Sequence, residues 1–368
     1  MRIGYLISTL ENSGPVNILY NLIKDLPIKE EITIFTLEQE KNNSRIKDFI
    51  EIGCKIIELK IDNRDLIFPK SKKIKTIEEK FIEKKIEIIH SHCFRSTLIL
   101  SKLKTKNIKK LSTLHTNVKE DYKTAFGKIK GRLMSYLYYK ALKKLDLNIA
   151  CSSSIIKYYK KEIKKLIFIQ NGVDLQKFML KNENKKELRK KLKLEEQKIY
   201  FISVGSLCKR KDPFFIANTF TNIDNNNVRL IYLGEGTEKN NIAKLNDKRI
   251  LLRGNVKEVR EYLAASDYYI SSSNSEGLPN SVLEGLALKL PIILSEIDPH
   301  MEILNINSNA GVSFNKEKKN DLKEKINYIL SQNYSLMSNE AYKIVKETLN
   351  SKEMSRKYYK EYICLTQN

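Results

Sequence analysis

Two glutamates, Glu276 and Glu284 in "EGLPNSVLE", are the residues of this chain whose types and spacing most readily suggest chemistry. The run before them, "DYYISSS", has the composition of a strand, and "NSEG" is its exit. Pro279 fits the first turn of a helix continuing through "NSVLEGLALK". Glu276 then lies in the loop and Glu284 inside the helix, with the backbone N–H groups of Asn280, Ser281 and Val282 between them. A helix N-terminus presents unpaired N–H groups and the positive end of the peptide dipole, so it can accept a phosphate. Carboxylates on either side can accept hydrogen bonds from hydroxyls. The same pattern also describes a helix with an acidic first turn, which is stabilising without any ligand.

Such residues need a scaffold, and the chain alternates strand and helix signals throughout. "RIGYLIS", "EITIFTL", "KIIEL", "IEIIHSH", "KKLSTLH", "LNIACS" and "IFIQN" are β-rich runs separated by segments of helical spacing, and a second series runs "IYFISVG", "VRLIYLG", "RILLRG", "YYISSS", "PIILSE" and "AGVSF". Alternation of this kind predicts parallel sheets. Between the two series lies the charged stretch "LKNENKKELRKKLKLEEQK", read as a linker with a short helix. The length of 368 residues fits two domains. The expected division is a first α/β domain over 1–175, a linker over 176–196, a second α/β domain over 197–350, and a C-terminal helix over 351–368 that packs back towards the first domain.

In open parallel sheets the ligand site lies at the carboxyl ends of the strands, so the loops after the strands hold the remaining candidates. Gly14, in "STLENSGPVNIL", lies between a strand and an amphipathic helix, where the missing Cβ would let a phosphate approach the backbone. A purely conformational glycine reads the same way. In "SVGSLCKRKDPFF" Gly205 ends a strand, Asp212 is suited to cap a helix and Pro213 to begin it, while Lys211 adds a charge at its N-terminus. A surface lysine cluster is the competing reading. His115 follows the strand "LSTL", where a lone histidine is commonly structural. His90 and His92 share one side of their strand, but two imidazoles without a carboxylate or cysteine pair do not make a zinc site, and no metal is expected.

Composition excludes several classes. At 41% hydrophobic and 30% charged residues the chain is that of a globular protein, and no apolar run approaches the roughly 20 residues of a membrane span. Five scattered cysteines without a C-x-x-C pair point to reduced thiols in a cytosolic protein. No cleavable leader is expected, because acidic Glu11 follows the first apolar run and no small-residue cleavage site is evident. The net charge of +23 is uneven: residues 102–165 hold eighteen Lys/Arg against four Asp/Glu. Solvated helix faces in a lysine-rich chain explain it, and so does an anionic partner. Nucleic acid is disfavoured as that partner by the lack of an aromatic-interleaved basic motif or zinc pattern. A nicotinamide-dependent oxidoreductase is disfavoured by the lack of G-x-G-x-x-G at the start of either domain.

A sugar nucleotide offers hexose hydroxyls, a diphosphate and ribose hydroxyls in the order that Glu276, the helix N-terminus and Glu284 would accept them. "EGLPNSVLEGLALKLPII" resembles the E-x7-E signature of the family 4 glycosyltransferases. "SVGSLCKRKDP" is similar to that family's G-R-L-x-x-x-K-G loop, "IQNGVDLQKF" to its N-G-V-D-x-x-x-F hinge, and "LLRGNVKEVREYLAASDYYISSS" to the segment feeding its donor site. Fainter echoes occur at "LENSGPVNILYNL", "IIHSHC" and "LSTLHT", so the resemblance spans nearly the whole chain.

The resemblance implies an α/β GT-B fold, with two doubly wound Rossmann-like domains facing each other across a cleft. It implies a retaining hexosyltransferase that moves a hexose or N-acetylhexosamine from a nucleoside-diphosphate sugar to a saccharide or lipid-linked acceptor. The setting would be O-antigen, capsule or lipopolysaccharide assembly, in the cytoplasm or at the anionic cytoplasmic leaflet of the inner membrane. It places Glu276 on the donor hexose, Glu284 on the ribose, and Lys211 with the backbone of Asn280, Ser281 and Val282 on the diphosphate. Gly14 would meet the phosphates, His115 the transferred sugar and acceptor, and Val256 the base. No cofactor or metal is implied, and the chain holds no D-x-D triplet. Ser206 stands where the family usually has arginine, so one phosphate contact is missing or is supplied by Lys209 or Arg210; Ser13 and Lys289 each stand where the family has glycine. A sugar-nucleotide epimerase of the same fold is the alternative, ahead of a nucleic-acid-binding protein.

Within the basic stretch, "KIKGRLMSYLYYKALKKLD" sets Ile129, Leu133, Leu137 and Ala141 in one apolar stripe flanked by Lys128, Arg132, Lys140, Lys143 and Lys144. The stripe is expected to pack inward on the sheet, leaving the lysines to attach the protein to an anionic membrane surface peripherally, without insertion.

Overall fold

The computed structural model describes residues 1–61, 71–179 and 184–367. It divides into two units, one of residues 1–172 with 351–368 and one of residues 173–350. Each is built on a wholly parallel sheet.

In the first unit the strands β1 (Ile3–Ile7), β2 (Ile32–Thr36), β3 (Lys55–Glu58), β4 (Ile88–His92), β5 (Lys109–Leu114), β6 (Leu147–Ala150) and β7 (Leu166–Phe168) lie in the order β3-β2-β1-β4-β5-β6-β7. In the second, β8 (Ile199–Val204), β9 (Val228–Leu233), β10 (Ile250–Leu252), β11 (Tyr268–Ser271), β12 (Ile292–Ser295) and β13 (Gly311–Phe314) lie in the order β10-β9-β8-β11-β12-β13. Each of the thirteen β-rich runs in the sequence is thus a strand. β1, β2 and β4 are buried at every position, as strands covered on both faces must be; β1 reads as an apolar run for that reason, whereas β4 carries His90, Ser91 and His92 into the interior. Strand order reverses between β1 and β4 and between β8 and β11, and these are the switch points where an open sheet leaves a crevice for a ligand.

The helices used below are α1 (Gly14–Lys24), α2 (Val118–Phe126), α3 (Lys128–Leu142), α4 (Lys185–Lys191), α5 (Pro213–Thr221), α6 (Asn280–Ala287), α7 (Asp298–Leu304) and α8 (Ser351–Gln367). The last is part of the first unit. Met354, Tyr358 and Tyr362 of α8 are buried in the core that β1 and α1 build. The Ser355 hydroxyl donates to the Leu22 carbonyl at 2.6 Å. Tyr362 is 2.9 Å from the Tyr5 hydroxyl and 2.7 Å from His90 Nδ1, and Tyr358 is 2.9 Å from the Thr113 hydroxyl, which in turn meets His90 Nε2 at 2.8 Å. The network is closed, so removing one member strands the others in a dry interior. Tyr362→Phe is expected to cost about 1–3 kcal/mol of unfolding free energy, read from urea denaturation. A loss below about 0.5 kcal/mol would show that the network is not a determinant of α8 docking.

Two expectations need correction here. The segment read as a linker with a short helix holds that helix, α4, but it belongs to the second unit and is packed where it is described; residues 180–183 lie outside the described residues. Leu188 and Leu194 are buried, and the Arg189 guanidinium donates to Asp267 at 2.7 Å and to the Ala265 carbonyl at 3.0 Å. A sequence dominated by lysine hides this because the two leucines and one satisfied arginine that anchor α4 are a small minority of it. The stripe on α3 is also turned the other way. Ile129 is 89% and Leu133 58% exposed, Leu137 is partly buried and only Ala141 is fully buried. The inward face is instead Gly131, Ser135, Tyr138, Tyr139 and Leu142. A Cβ on Gly131 would stand 2.4 Å from the Tyr122 carbonyl oxygen, so the helix pair α2 and α3 closes only where that position is glycine, and this contact fixes the phase of α3.

Candidate functional site

In the second unit the strand exits are stacked backbone on backbone. Gly205, after β8, has φ +134, and Gly234 and Gly236, after β9, have φ +138 and +156. A Cβ on Gly234 would lie 2.1 Å from the Gly205 carbonyl oxygen and one on Gly236 2.3 Å from that of Leu207. Lys211 crosses over Gly205, its chain within 3.0–3.2 Å of where a Cβ would be. The glycines therefore hold a shallow floor across which the lysine reaches the exit of β11.

There it meets Glu276. Lys211 Nζ is 3.0 Å from Oε1 and Arg210 Nη1 3.1 Å from Oε2 of a carboxylate only 9% exposed, and the Ser273 hydroxyl donates to Oε1 at 2.8 Å. Burial opposes the charge, but the two cations and the hydroxyl outweigh it and pull the carboxyl down to about 2. Lys209 points into solvent. Asp212 does not cap α5 as expected. Its backbone is left-handed at φ 45 and its side chain makes no cap bond; the carboxylate is taken instead by Lys316, which also donates to Asn274 at 2.6 Å.

Pro279 is the N-cap of α6 rather than part of its first turn, because its ψ of 110 is extended. Asn280, Ser281 and Val282 open the helix as expected, but the Val282 N–H is already engaged by the Pro279 carbonyl at 3.1 Å, and its side chain is fully buried. The Ser281 hydroxyl accepts from Tyr269 at 2.8 Å. Glu284 is a turn further along and partly buried. Burial pushes its carboxyl up to about 7, against the pull of Lys177 and Lys211. The two glutamates of the signature thus have opposite electrostatics: one ionised and clamped, the other poised to titrate near neutrality. Val256 lies partly buried in the turn after β10.

The first unit brings its candidates to strand ends as well. Gly14 is the exposed first residue of α1 after β1. His115 follows β5, partly buried, with its Nε2 at 3.0 Å from Nδ1 of His92, the last residue of β4. Burial drives the His115 ring down to about 4, and burial with two neighbouring rings holds His92 well below its ordinary value. Both are neutral at physiological pH, so one donates to the other and the pair fixes its tautomers jointly.

The family described as "Glycosyltransferase Family 4" matches residues 13–177 and that described as "Glycosyl transferases group 1" matches residues 184–348. The O-antigen biosynthesis glycosyltransferase WclY of Escherichia coli is 26% identical over 98% of both chains. An Escherichia coli UDP-Gal:alpha-D-GlcNAc-diphosphoundecaprenol alpha-1,3-galactosyltransferase is 28% identical over 68% of this chain and 66% of its own. Among solved structures, Anabaena HepE in complex with UDP-glucose superposes with a TM-score of 0.81 over 99% of this chain and 100% of its own, at 14% identity. The chain belongs to glycosyltransferase family 4. Its fold is GT-B, and it is a glycosyltransferase.

Three features of this transferase were not singled out in the sequence. The Gly234–Gly236 turn is visible as "LGEGTE", where two glycines flank a single residue after a strand. His92, one of two strand imidazoles that make no zinc site, is the direct partner of His115. His300, in α7, has no such signal. It is fully buried with Nδ1 at 3.0 Å from the Ser295 carbonyl, and its Nε2 lacks a hydrogen-bond partner among the described residues. Burial lowers its pKa to about 4 although Glu276 pulls it upward. A neutral His300 carrying its proton on Nδ1 thus leaves a bare acceptor near the clamped carboxylate.

Proposed function

We propose that the transferase moves a hexose or N-acetylhexosamine from a nucleoside-diphosphate sugar to a lipid-linked saccharide with retention of anomeric configuration. The observation that carries this reading is the pair Lys211 and Arg210 converging on Glu276 beside the N-terminus of α6. One carboxylate is shared between the two cations, so the cluster keeps a net positive charge. A donor brings its own diphosphate to them and offers sugar hydroxyls to the carboxylate, so the ion cluster is exchanged for charge-assisted bonds at both ends of the donor. Lys211, Arg210 and the N–H groups of Asn280 and Ser281 at the start of α6 then stabilise the charge that develops as the anomeric carbon–phosphate oxygen bond breaks. The acceptor hydroxyl forms the new bond from the same face and its proton passes to the departing phosphate oxygen, so no side chain is required as a base. His115, held by His92, is assigned to the transferred sugar, Glu284 to the ribose, Val256 to the base and Gly14 to the phosphates.

Support for the donor class comes from the UDP-glucose bound by HepE, and for the acceptor class from the diphosphoundecaprenol substrate in the name of the Escherichia coli galactosyltransferase. The basic surface of the first unit is assigned to an anionic inner-leaflet surface where such acceptors reside. No helix among the described residues is long and apolar enough to cross a membrane. Incubation with a panel of nucleoside-diphosphate sugars, reading thermal shifts and then product with and without a lipid-linked acceptor, tests the reading. Conversion of the donor without an acceptor would identify an epimerase instead.

Because two side-chain cations occupy the diphosphate position, transfer is expected to be independent of a divalent ion. Rates with and without excess EDTA should agree within about twofold, a barrier change of about 0.4 kcal/mol. Abolition by EDTA and recovery with a divalent ion would place a metal in the reaction.

A further inference from the structure

The outward face of α3 is the largest unexplained feature of the first unit. Ile129, Leu133 and Tyr136 are 89%, 58% and 62% exposed, and at i, i+4 and i+7 they share one face of the helix. They cannot turn inward, because Gly131 and Ser135 commit the opposite face to α2, the Ser135 hydroxyl donating to the Val118 carbonyl at 3.1 Å. Beside them lies a groove of about 760 Å³ lined by Lys119, Lys123, Lys128, Arg132, Lys140 and Lys143 against only Glu120 and Glu162. Lys143 is paired with Glu162 at 2.9 Å, Lys123 stands 3.9 Å from Glu120 and Lys119 lies over the Tyr139 ring. Lys128, Arg132 and Lys140 have no acidic partner among the described residues.

We propose that the α2–α3 hairpin docks on an anionic lipid surface, the groove holding lipid phosphate while Ile129, Leu133 and Tyr136 enter the apolar layer beneath the headgroups. The inference deepens the membrane-surface reading above and rests on it, but replaces purely electrostatic attachment with insertion. Charge complementarity selects the occupant. Arg132 and Lys140 interleave with the apolar side chains on the same helix face, so cations and hydrocarbon meet their partners at one depth only where phosphate overlies acyl chain. Nucleic acid would satisfy the cations and could stack on Tyr136, but it offers nothing that takes an aliphatic side chain as exposed as Ile129 out of water.

The chain contains no tryptophan, so a Leu133→Trp variant carries a single fluorescent reporter at the proposed point of entry. Vesicles of phosphatidylcholine with phosphatidylglycerol are expected to blue-shift its emission and to shield it from a soluble quencher, whereas phosphatidylcholine alone should do neither. Sedimentation with the mixed vesicles should show Lys128→Glu/Arg132→Glu/Lys140→Glu binding at least about tenfold more weakly than the parent at low salt. Ile129→Ser/Leu133→Ser should bind at low salt yet be released at about 0.5 M salt, where the parent stays partly bound. These residues are exposed, and an unchanged melting temperature together with retained UDP binding by the second unit will confirm that each variant is folded. Sedimentation without a blue shift would overturn insertion while leaving electrostatic attachment standing. No sedimentation at all would overturn both. A blue shift produced by an oligonucleotide or by inorganic pyrophosphate, and not by the vesicles, would overturn the lipid assignment.

Discussion

Lys211→Ala is expected to lower kcat/KM by about a hundredfold to a thousandfold, the range lost when a preorganised donor to a developing negative charge is removed. The lysine touches Glu276 at 3.0 Å and lies against Gly205, so its loss acts in two ways. In the proposed donor complex the diphosphate loses one of two side-chain cations, and the Glu276 carboxyl, now near 2, moves back towards the ordinary range with Arg210 and the Ser273 hydroxyl left to hold it. The variant should therefore bind nucleoside diphosphate more weakly while its affinity for the corresponding nucleoside is little changed. Lys211→Arg keeps the charge and should recover part of the rate. The floor beneath the lysine supplies a control: Gly205→Ala puts a Cβ where the lysine chain runs and at a φ of +134 that side chains rarely adopt, so it should reproduce much of the Lys211→Ala loss with the lysine still present. Steady-state rates and calorimetric titration with UDP and uridine decide the matter. A loss smaller than about threefold in Lys211→Ala would remove the lysine from the chemistry.

The sequence made the scaffold legible because short β-rich runs alternate with segments of helical spacing, and each such run from "RIGYLIS" to "AGVSF" is a strand. It also placed Glu276, Asn280, Ser281 and Glu284 on the right elements, since a proline after a strand exit leaves few alternatives to a helix start. What escaped it depends on phase and on long-range partners. The α3 stripe could be read in two helical phases, and the choice was made by Gly131 against the Tyr122 carbonyl, a contact that periodicity does not encode. Asp212 was suited to be a cap, but Lys316, 104 positions away in sequence, holds its side chain elsewhere. The opposite states of Glu276 and Glu284 could not be foreseen at all, because they arise from which cations reach each carboxylate.

Glu284 gives the second large effect, and it is a pH effect. Its carboxyl is raised from an ordinary 4.5 to about 7 in the folded protein, so between those values the folded state binds more protons than the unfolded one. Stability contributed by this group therefore falls as pH rises from about 4.5 to about 7, and the deficit is constant above that. Glu284→Gln, which cannot ionise, should be more stable than the parent above pH 7 by roughly 1–3 kcal/mol and equal to it near pH 4. Binding moves in the opposite sense. If ribose hydroxyls donate to Glu284, they favour its carboxylate, so nucleotide binding draws the pKa below about 7 and releases a proton in slightly acidic solution. Glu276 near 2 and His300 near 4 do not titrate in this window. The phosphates of the ligand can, and for that reason the comparison is between UDP and 2′,3′-dideoxy-UDP, which carry the same phosphates. The affinity ratio in favour of UDP should rise by about tenfold from pH 5.5 to 7.5 in the parent and be flat in Glu284→Gln. A ratio that is independent of pH in the parent, or that still rises in the variant, would take the ribose away from Glu284 and leave its raised pKa as a consequence of burial alone.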